Sequence, residues 1–183
     1  THEDYVRLYG ARGPTHPPGQ AHEYSNYGYV LLGAIIERAS GLAYEDYVAR
    51  HVFAPAGMHD TGALPEDVDV PSRARAYTRK DCAWVDAADT LPYRGTAAGG
   101  GYSTAADLLK FARALRAGIL LSPASLAEAT RRQTPWYGYG FMVGQRHGVA
   151  GFGHGGGAEG MNASLGIFPA QDTVVIGLSN LDP

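Results

Sequence analysis

Two short segments of the chain carry residue types that could do chemistry. The first is Tyr24-Ser25-Asn26, which stands at the beginning of a strongly apolar run that ends at Gly41. Ser and Asn are preferred at the N-terminal caps of helices, so the triplet is compatible with capping alone. The same triplet could belong to a catalytic site. Taken by itself, the segment leaves both interpretations open.

The second segment is "GFGHGGGAEGMN", residues 151–162, in which six glycines surround His154. Glycine loses more conformational entropy on ordering than any other residue, so this density needs a reason. One interpretation is a flexible hairpin tip, and the other is a strand edge that a ligand approaches closely, with His154 aimed at it. A phosphate-binding loop is disfavoured, because no Gly-Lys-Ser/Thr follows and the next segment resembles a strand.

Metal and cofactor sites find no support in the sequence. The chain has seven histidines, but their spacing does not match a metal site. His147 and His154 could face each other, yet no nearby Cys, Asp or further His completes a ligand set. His2-Glu3-Asp4 is predicted to be a solvated end. We therefore predict no metal site and no cofactor.

Composition excludes several classes of partner. The 183 residues carry 15 Lys+Arg against 18 Asp+Glu, a net charge of −3, with no basic block, so nucleic acid is not an expected partner. No apolar run approaches the roughly 20 residues of a transmembrane helix. Cys82 is the single cysteine, which excludes an internal disulfide framework.

The elements that must position these segments follow a simple order. Residues 1–23 are rich in Pro and Gly and are predicted to be loop. Helices are predicted after Ser25, around 44–52, after Thr104 with Asp107 as a capping box, and after Ser122. Residues 60–96 show no clear period. Three strands are predicted, "YGYGFMVG", "MNASLGIF" and "TVVIGLSN".

Helices followed by antiparallel strands predict an α+β fold, a helical lobe followed by an antiparallel three-stranded meander. The predicted division is a loop segment 1–26 that carries Tyr24-Ser25-Asn26, a mainly helical lobe 27–135 and a sheet portion 136–183.

The order of the motifs resembles the serine β-lactamase-related family, which contains class C β-lactamases, D-Ala-D-Ala carboxypeptidases and related esterases. The resemblance rests on "PPGQAHEYSNYGYVLLGAIIERASG", "VFAPAGMHDTG", "AAGGGYSTAADLLKFARAL", "GHGGGAEGMNASLGIFP" and "VVIGLSN". It implies the β-lactamase/penicillin-binding-protein-like fold. It also implies that Tyr24 and Asn26 match the family's Tyr-x-Asn motif, and that His154-Gly155-Gly156 matches its His-x-Gly motif. Ser25 is then the residue between two functional side chains.

The resemblance assigns roles to these residues. Tyr24, Asn26 and His154 are the expected catalytic groups, with Tyr24 as a base, Asn26 orienting a lysine and the substrate amide, and His154 holding the hydrogen bonds of Tyr24 or shuttling a proton. Gly155 and Gly156 are expected to let the substrate pair with the strand edge. The Gly157 N–H is expected to donate to the oxyanion.

One family motif is absent from the sequence. The nucleophile motif Ser-x-x-Lys needs a serine three positions before a lysine, but the two lysines, Lys80 and Lys110, follow Tyr77 and Asp107 at that spacing. The family places this motif before Tyr-x-Asn. The resemblance therefore implies an internal fragment that is inactive by itself.

The expected function is that of part of a serine hydrolase that cleaves an amide or ester through an acyl-serine, with esterase or peptidase activity favoured. The expected partner is a small-molecule or peptide-like amide or ester substrate, and self-association through exposed sheet surfaces is expected. The alternative is a non-catalytic module of the same fold that binds a peptide or a peptidoglycan-like ligand.

Overall fold

Helices dominate the first two thirds of the chain in the computed structural model, which describes residues 1–90 and 92–183. They are α1 (His2–Tyr9), α2 (Asn26–Ser40), α3 (Tyr44–Val48), α4 (Ala54–Ala56), α5 (Ala105–Arg116) and α6 (Pro123–Ala129). A π-helical turn, Ala49–Phe53, joins α3 to α4. None of the helices in the described part of the chain has both the length and the apolar character needed to cross a membrane.

A short hairpin interrupts the helices in the stretch where the sequence shows no period. It consists of β1 (Tyr77–Lys80) and β2 (Ala83–Asp86), which pair antiparallel. Asp81 and Cys82 form its turn, and both have positive φ, 48° and 66°. Each strand has only four residues, too few to show a clear alternation.

The C-terminal part of the chain forms one antiparallel sheet in the order β3-β4-β5-β6. Its strands are β3 (Met142–Arg146), β4 (Val149–Ala158), β5 (Met161–Phe168) and β6 (Thr173–Ser179). The predicted α+β class is confirmed, but the meander has four strands, not three. The additional strand is the glycine-rich segment, whose composition hides its strand character. Glycine is required at Gly153, because a Cβ there would overlap the carbonyl oxygen of Leu165.

The core lies where α5 packs on the sheet. Ala112 and Leu115 of α5 and Ile167 of β5 are buried together. Partly buried side chains surround them, namely Phe111, Leu120, Leu121, Leu126, Phe141, Phe152, Leu165 and Val174. The core therefore fixes the helical part against β4 and β5, the strands that contain the second candidate segment.

The N-terminal prediction was wrong in two respects. Residues 2–9, predicted to be loop, form α1, which begins at a capping box between Thr1 and Asp4. His2, predicted to be solvated, is buried: its Nδ1 lies 3.0 Å from a Glu37 carboxylate oxygen, and its Nε2 accepts the Ala97 N–H. The cap and these two contacts stabilise α1 against α2. The three-part division at residues 26 and 135 stays a prediction.

The predicted capping box at Thr104 forms only in part. The Thr104 hydroxyl accepts the Asp107 N–H, as an N-cap should. The Asp107 carboxylate is instead buried, and it accepts hydrogen bonds from the Asp60 N–H, the Thr61 hydroxyl and the Lys110 ammonium. Asp107 thus joins α5 to the segment after α4.

Self-association is the expected behaviour of the isolated chain. Large apolar side chains are exposed on α2 and β6, among them Leu32, Ile35 and Val175, and β6 pairs only with β5 among the described strands. Unpaired strand edges act as templates for other chains, and large apolar patches are rare on monomers. Light scattering should therefore show dimers or larger species at high concentration, and a stable monomer would contradict the expectation.

Candidate active site

Tyr24, Ser25 and Asn26 lie at the N-terminus of α2, beside a cleft. Ser25 is the N-cap, with extended backbone at φ −140° and a hydroxyl that accepts the Gly28 N–H at 3.1 Å. Its side chain is therefore committed to the helix, as expected for the residue between two functional side chains. Tyr24 and Asn26 both line the cleft, a cavity of about 980 Å³ between the helical part and β4.

His154 and the glycines that follow it form the opposite wall of this cleft. His154 and Gly155–Gly157 belong to β4 and line the same cavity. The ring centroids of Tyr24 and His154 are 6.2 Å apart. The fold thus brings together two rings that lie 130 positions apart in the sequence.

Strand pairing leaves half of β4 open. β3 pairs with Val149–Gly153, and β5 pairs with Phe152–Ala158. Residues 154–158 therefore have a strand neighbour on one side only. The flexible-tip interpretation of the glycine-rich segment was wrong, because the segment is a paired strand. The strand-edge interpretation agrees with this geometry.

The hydrogen-bond partners of His154 differ from those expected. Its Nε2 lies 2.8 Å from the Tyr137 hydroxyl, and its Nδ1 lies 2.7 Å from the Gly155 carbonyl oxygen. The Tyr137 hydroxyl in turn lies 2.7 Å from the Tyr29 hydroxyl. In the described structure no hydrogen bond joins Tyr24 to His154, because both imidazole nitrogens already have other partners.

Phenol groups dominate the electrostatics of the cleft. Burial, together with the neighbouring Tyr29 phenol, raises the pKa of Tyr24 above its ordinary value of 10.0. Burial and the hydrogen bond with Tyr29 raise the pKa of Tyr137 further. Among the described residues that line the cleft, Arg12 is the one Lys, Arg, Asp or Glu, and its guanidinium lies 4.7 Å from the centre of the Tyr9 ring. Arg12 is not among the groups that shift the pKa of Tyr24, so Tyr24 keeps its hydrogen and can act as a hydrogen-bond donor.

Possible metal ligands do not come together in the described part of the chain. In residues 1–90 and 92–183, no group of three or more His, Cys, Asp or Glu side chains is placed to hold a metal ion. His147 lies in the turn before β4, with positive φ of 51°, and His154 lies seven residues further along. The two histidines that the sequence paired as candidates therefore lie apart, one in the turn before β4 and the other in the middle of the strand.

Tyr29 and Tyr137 are site residues that the sequence interpretation missed. Tyr29 follows Asn26 by three positions on α2, so helical spacing alone places both on one face. Tyr137 precedes β3 in an aromatic segment, Trp136–Phe141, and no local pattern indicates its contact with His154. Its ring centroid lies 5.6 Å from that of His154 and 6.0 Å from that of Tyr24.

Comparison with known proteins supports the fold. Penicillin-binding protein 4 of Amycolatopsis lactamdurans is 31% identical over 188 aligned residues, which cover 90% of this chain and 48% of that protein. The crystal structure of a penicillin-binding protein from Bacillus halodurans superposes with a TM-score of 0.94 at 28% identity, covering 100% of this chain and 59% of that one. A D-stereospecific amidohydrolase from Streptomyces sp. gives a TM-score of 0.84 at 28% identity, covering 100% and 57%.

The chain spans about half the length of these relatives, 48% to 59%. A family model described as Beta-lactamase matches residues 1–183. The match extends over the whole chain and includes both walls of the cleft. The protein therefore belongs to the beta-lactamase family.

Proposed function

We propose that the protein is part of a serine hydrolase that cleaves an amide or ester through an acyl-serine. Tyr24, Asn26 and His154 are the proposed catalytic groups, and the edge of Gly155–Gly157 binds the substrate. The observation that carries the proposal is the meeting of the Tyr24 and His154 rings, at 6.2 Å, beside a strand edge that no other strand of the described residues covers.

The nucleophile and its lysine are proposed to come from a segment outside these 183 residues. Acyl transfer by serine needs a group that removes the hydroxyl proton during attack. A phenol with a raised pKa is a poor base unless a cation lies beside it. A lysine near Tyr24 would supply that cation, and Asn26 would orient it. The cleft of about 980 Å³ has room for such a segment.

The oxyanion is proposed to bind at β4. Backbone N–H groups aimed at the developing negative charge are the usual stabilisers of tetrahedral intermediates. Gly157 lies on the half of β4 that β3 leaves open, so its N–H is the proposed donor from this chain. The N–H of the nucleophile itself would be the second donor.

The proposed substrate is a peptide-like amide or an ester. A dedicated β-lactamase favours a fixed cation at the third motif, where it meets the substrate carboxylate, but this chain has His154. The His154 side chain is hydrogen-bonded to Tyr137 and to the Gly155 carbonyl. The similarity to a D-stereospecific amidohydrolase also supports an amide substrate.

A turnover screen of the full-length parent tests this proposal. The substrates are a chromogenic cephalosporin, p-nitrophenyl esters and short D-amino-acid amides, and a fluorophosphonate serves as a covalent probe. Ester or amide turnover above cephalosporin turnover is expected. Robust cephalosporin turnover without ester turnover would overturn the substrate preference. A parent that turns over none of them and takes no covalent label would overturn the hydrolase.

A valine at position 156 is expected to block binding without unfolding the strand. A Cβ at Gly156 meets no atom within 4 Å and would lie on the same face of β4 as His154, toward the cleft. Gly156→Val should therefore leave the free energy of unfolding within about 0.5 kcal/mol and abolish substrate turnover in the parent. Gly144→Val is the matched control, because Gly144 lies in β3, outside the cleft, where the nearest atom is 4.0 Å away. Equal activity of both variants would contradict the strand-edge role.

A non-catalytic binding module is the second candidate. It is favoured by the absence of Ser-x-x-Lys from the sequence together with an open strand edge, which by itself suits peptide binding by strand addition. Two observations on the parent discriminate. A Ser-x-x-Lys before Thr1 supports the enzyme, whereas its absence, with measurable binding of a peptidoglycan fragment by calorimetry, supports the binder.

A further inference from the structure

A continuous series of three hydrogen bonds connects α2 to the open half of β4. It runs from the Tyr29 hydroxyl to the Tyr137 hydroxyl, 2.7 Å, and from there to His154 Nε2, 2.8 Å. It ends where His154 Nδ1 meets the Gly155 carbonyl oxygen at 2.7 Å. All three distances are those of normal hydrogen bonds, so each link must contain one donor and one acceptor.

The last hydrogen bond, to the Gly155 carbonyl, determines which group donates in the other two. A backbone carbonyl can only accept, so His154 Nδ1 must carry the hydrogen. The other nitrogen of a neutral imidazole then has no hydrogen and needs a donor, which is the Tyr137 hydroxyl. A phenol has one hydrogen only. With a neutral imidazole, Tyr137 therefore accepts from Tyr29, and every hydrogen-bond donor in the series points toward β4.

The surroundings of Tyr137 suit a permanent donor. Its side chain is buried, at 6% exposure, and its ring packs edge-on against His154, with an interplanar angle of 84°. Burial and the hydrogen bond with Tyr29 raise the pKa of Tyr137 above the ordinary phenol value of 10.0, so its hydroxyl keeps its hydrogen at neutral pH.

We propose that Tyr137, whose hydroxyl accepts a hydrogen bond from Tyr29, is a positioning residue that holds His154 as its Nδ1–H tautomer, with Nε2 occupied and closed to proton exchange with Tyr24. The proposal rests on the proposed function only in taking His154 as part of the catalytic site. The proposal chooses between the two roles expected for His154. The ring holds the wall of the cleft and the Gly155 carbonyl in place, and it does not shuttle a proton. Proton handling at Tyr24 then belongs to the groups that the nucleophile segment supplies.

Nitrogen NMR of the histidine side chains tests the proposal without substrate. Histidine labelled with 15N reports which ring nitrogen carries hydrogen, and magic-angle-spinning spectra do not require a soluble monomer. Spectra are recorded at alkaline pH, where the rings are neutral, and the His154 signals are identified by their loss in His154→Gln. The wild-type chain is expected to show hydrogen on Nδ1 of His154 alone.

Three tyrosine variants test these hydrogen bonds one at a time. Tyr137→Phe removes the donor to Nε2, so the His154 Nε2 signal should move to that of an unbonded imine nitrogen and the second tautomer should appear. Tyr29→Phe should keep the Nδ1–H tautomer, because Tyr137 still donates. Tyr139→Phe is the matched control, since Tyr139 is exposed at 59%, and it should leave His154 unchanged.

Two results would overturn the proposal. One is hydrogen on Nε2 of His154 in the wild-type chain, which needs no variant to fold. The other is a His154 spectrum that Tyr137→Phe leaves unaltered. Neither result depends on hydrolysis, so a parent without activity would remove the proposed function while this measurement still decides the tautomer.

Discussion

Incubated with a fluorophosphonate or a penicillin, the 183-residue chain is expected to stay unmodified. Its proposed site groups, Tyr24, Asn26 and His154, position and bind but do not replace an activated serine. Loss of the nucleophile in a serine protease costs about six orders of magnitude in turnover. An effect of similar size is expected between this chain and its full-length parent, with intact-mass spectrometry as the measurement.

The serines near the cleft explain the expected result. Ser25 directs its hydroxyl to the Gly28 N–H, toward the helix that it caps. Ser164 also lines the cleft, but it lies on β5, behind β4, and no lysine lines the described cavity beside it. The parent serves as the positive control, with its adduct expected outside residues 1–183. A stoichiometric adduct on any serine of this chain would contradict the mechanism.

Replacing Asp107 by alanine is expected to cost about 3–5 kcal/mol of folding free energy, because several donors lose their acceptor and each unsatisfied buried group costs about 1–3 kcal/mol. Asp107 is fully buried, and its removal leaves the Asp60 N–H, the Thr61 hydroxyl and the Lys110 ammonium without their acceptor. Urea unfolding followed by circular dichroism measures the loss.

Lys110→Met is the matched control for Asp107→Ala. The Lys110 side chain is 42% exposed, and without it the carboxylate keeps its other two donors. The expected cost is about 1 kcal/mol, that of an ordinary hydrogen bond. If both variants lost equal stability, the ion pair and not the buried carboxylate would be the important feature.

Acid pH should remove the contribution of the ionised Asp107 carboxylate to the stability of the fold. Burial raises the pKa of Asp107, but the hydrogen bonds from Lys110, the Asp60 N–H and Thr61 outweigh it, so the pKa lies below its ordinary value of 3.8. A lowered folded-state pKa contributes stability that is fully present above the unfolded value and is lost as pH falls through the folded one. The stability difference between wild type and Asp107→Asn should therefore shrink below about pH 4.

The parts of the fold that the sequence predicts are those with strong local signals. α2 has a Ser25 cap, a long apolar run and Gly41 in the left-handed conformation at its C-cap, φ 72°. α5 has the Thr104 cap and one apolar face. α1 has an equally local signal, the capping box of Thr1 and Asp4, but the prolines and glycines that follow obscured it.

The parts that the sequence does not predict depend on contacts distant in the chain. β4 forms despite its glycines because β5 pairs with it along seven residues. Tyr137 reaches Tyr29 across 108 positions and His154 across 17, and neither separation has a periodic signature. The motif resemblance located Tyr24, Asn26 and His154 because it encodes such contacts indirectly, but it carried no information about the phenols between them.

The residue at which β3 begins determines how many residues of β4 keep an open edge in the cleft. Pairing with β3 starts at Met142 opposite Gly153, and at about 3.3 Å per residue the five residues of β4 beyond it offer an edge of roughly 17 Å. An extended peptide of about five residues would fill that edge. Two more paired residues in β3 would cover His154 and Gly155 and leave space only for a short amide. If substrate binds along this edge as proposed, the bend at Gly140, with φ of 79°, limits the length of substrate that can lie against the strand, although Gly140 contacts none of the proposed catalytic groups.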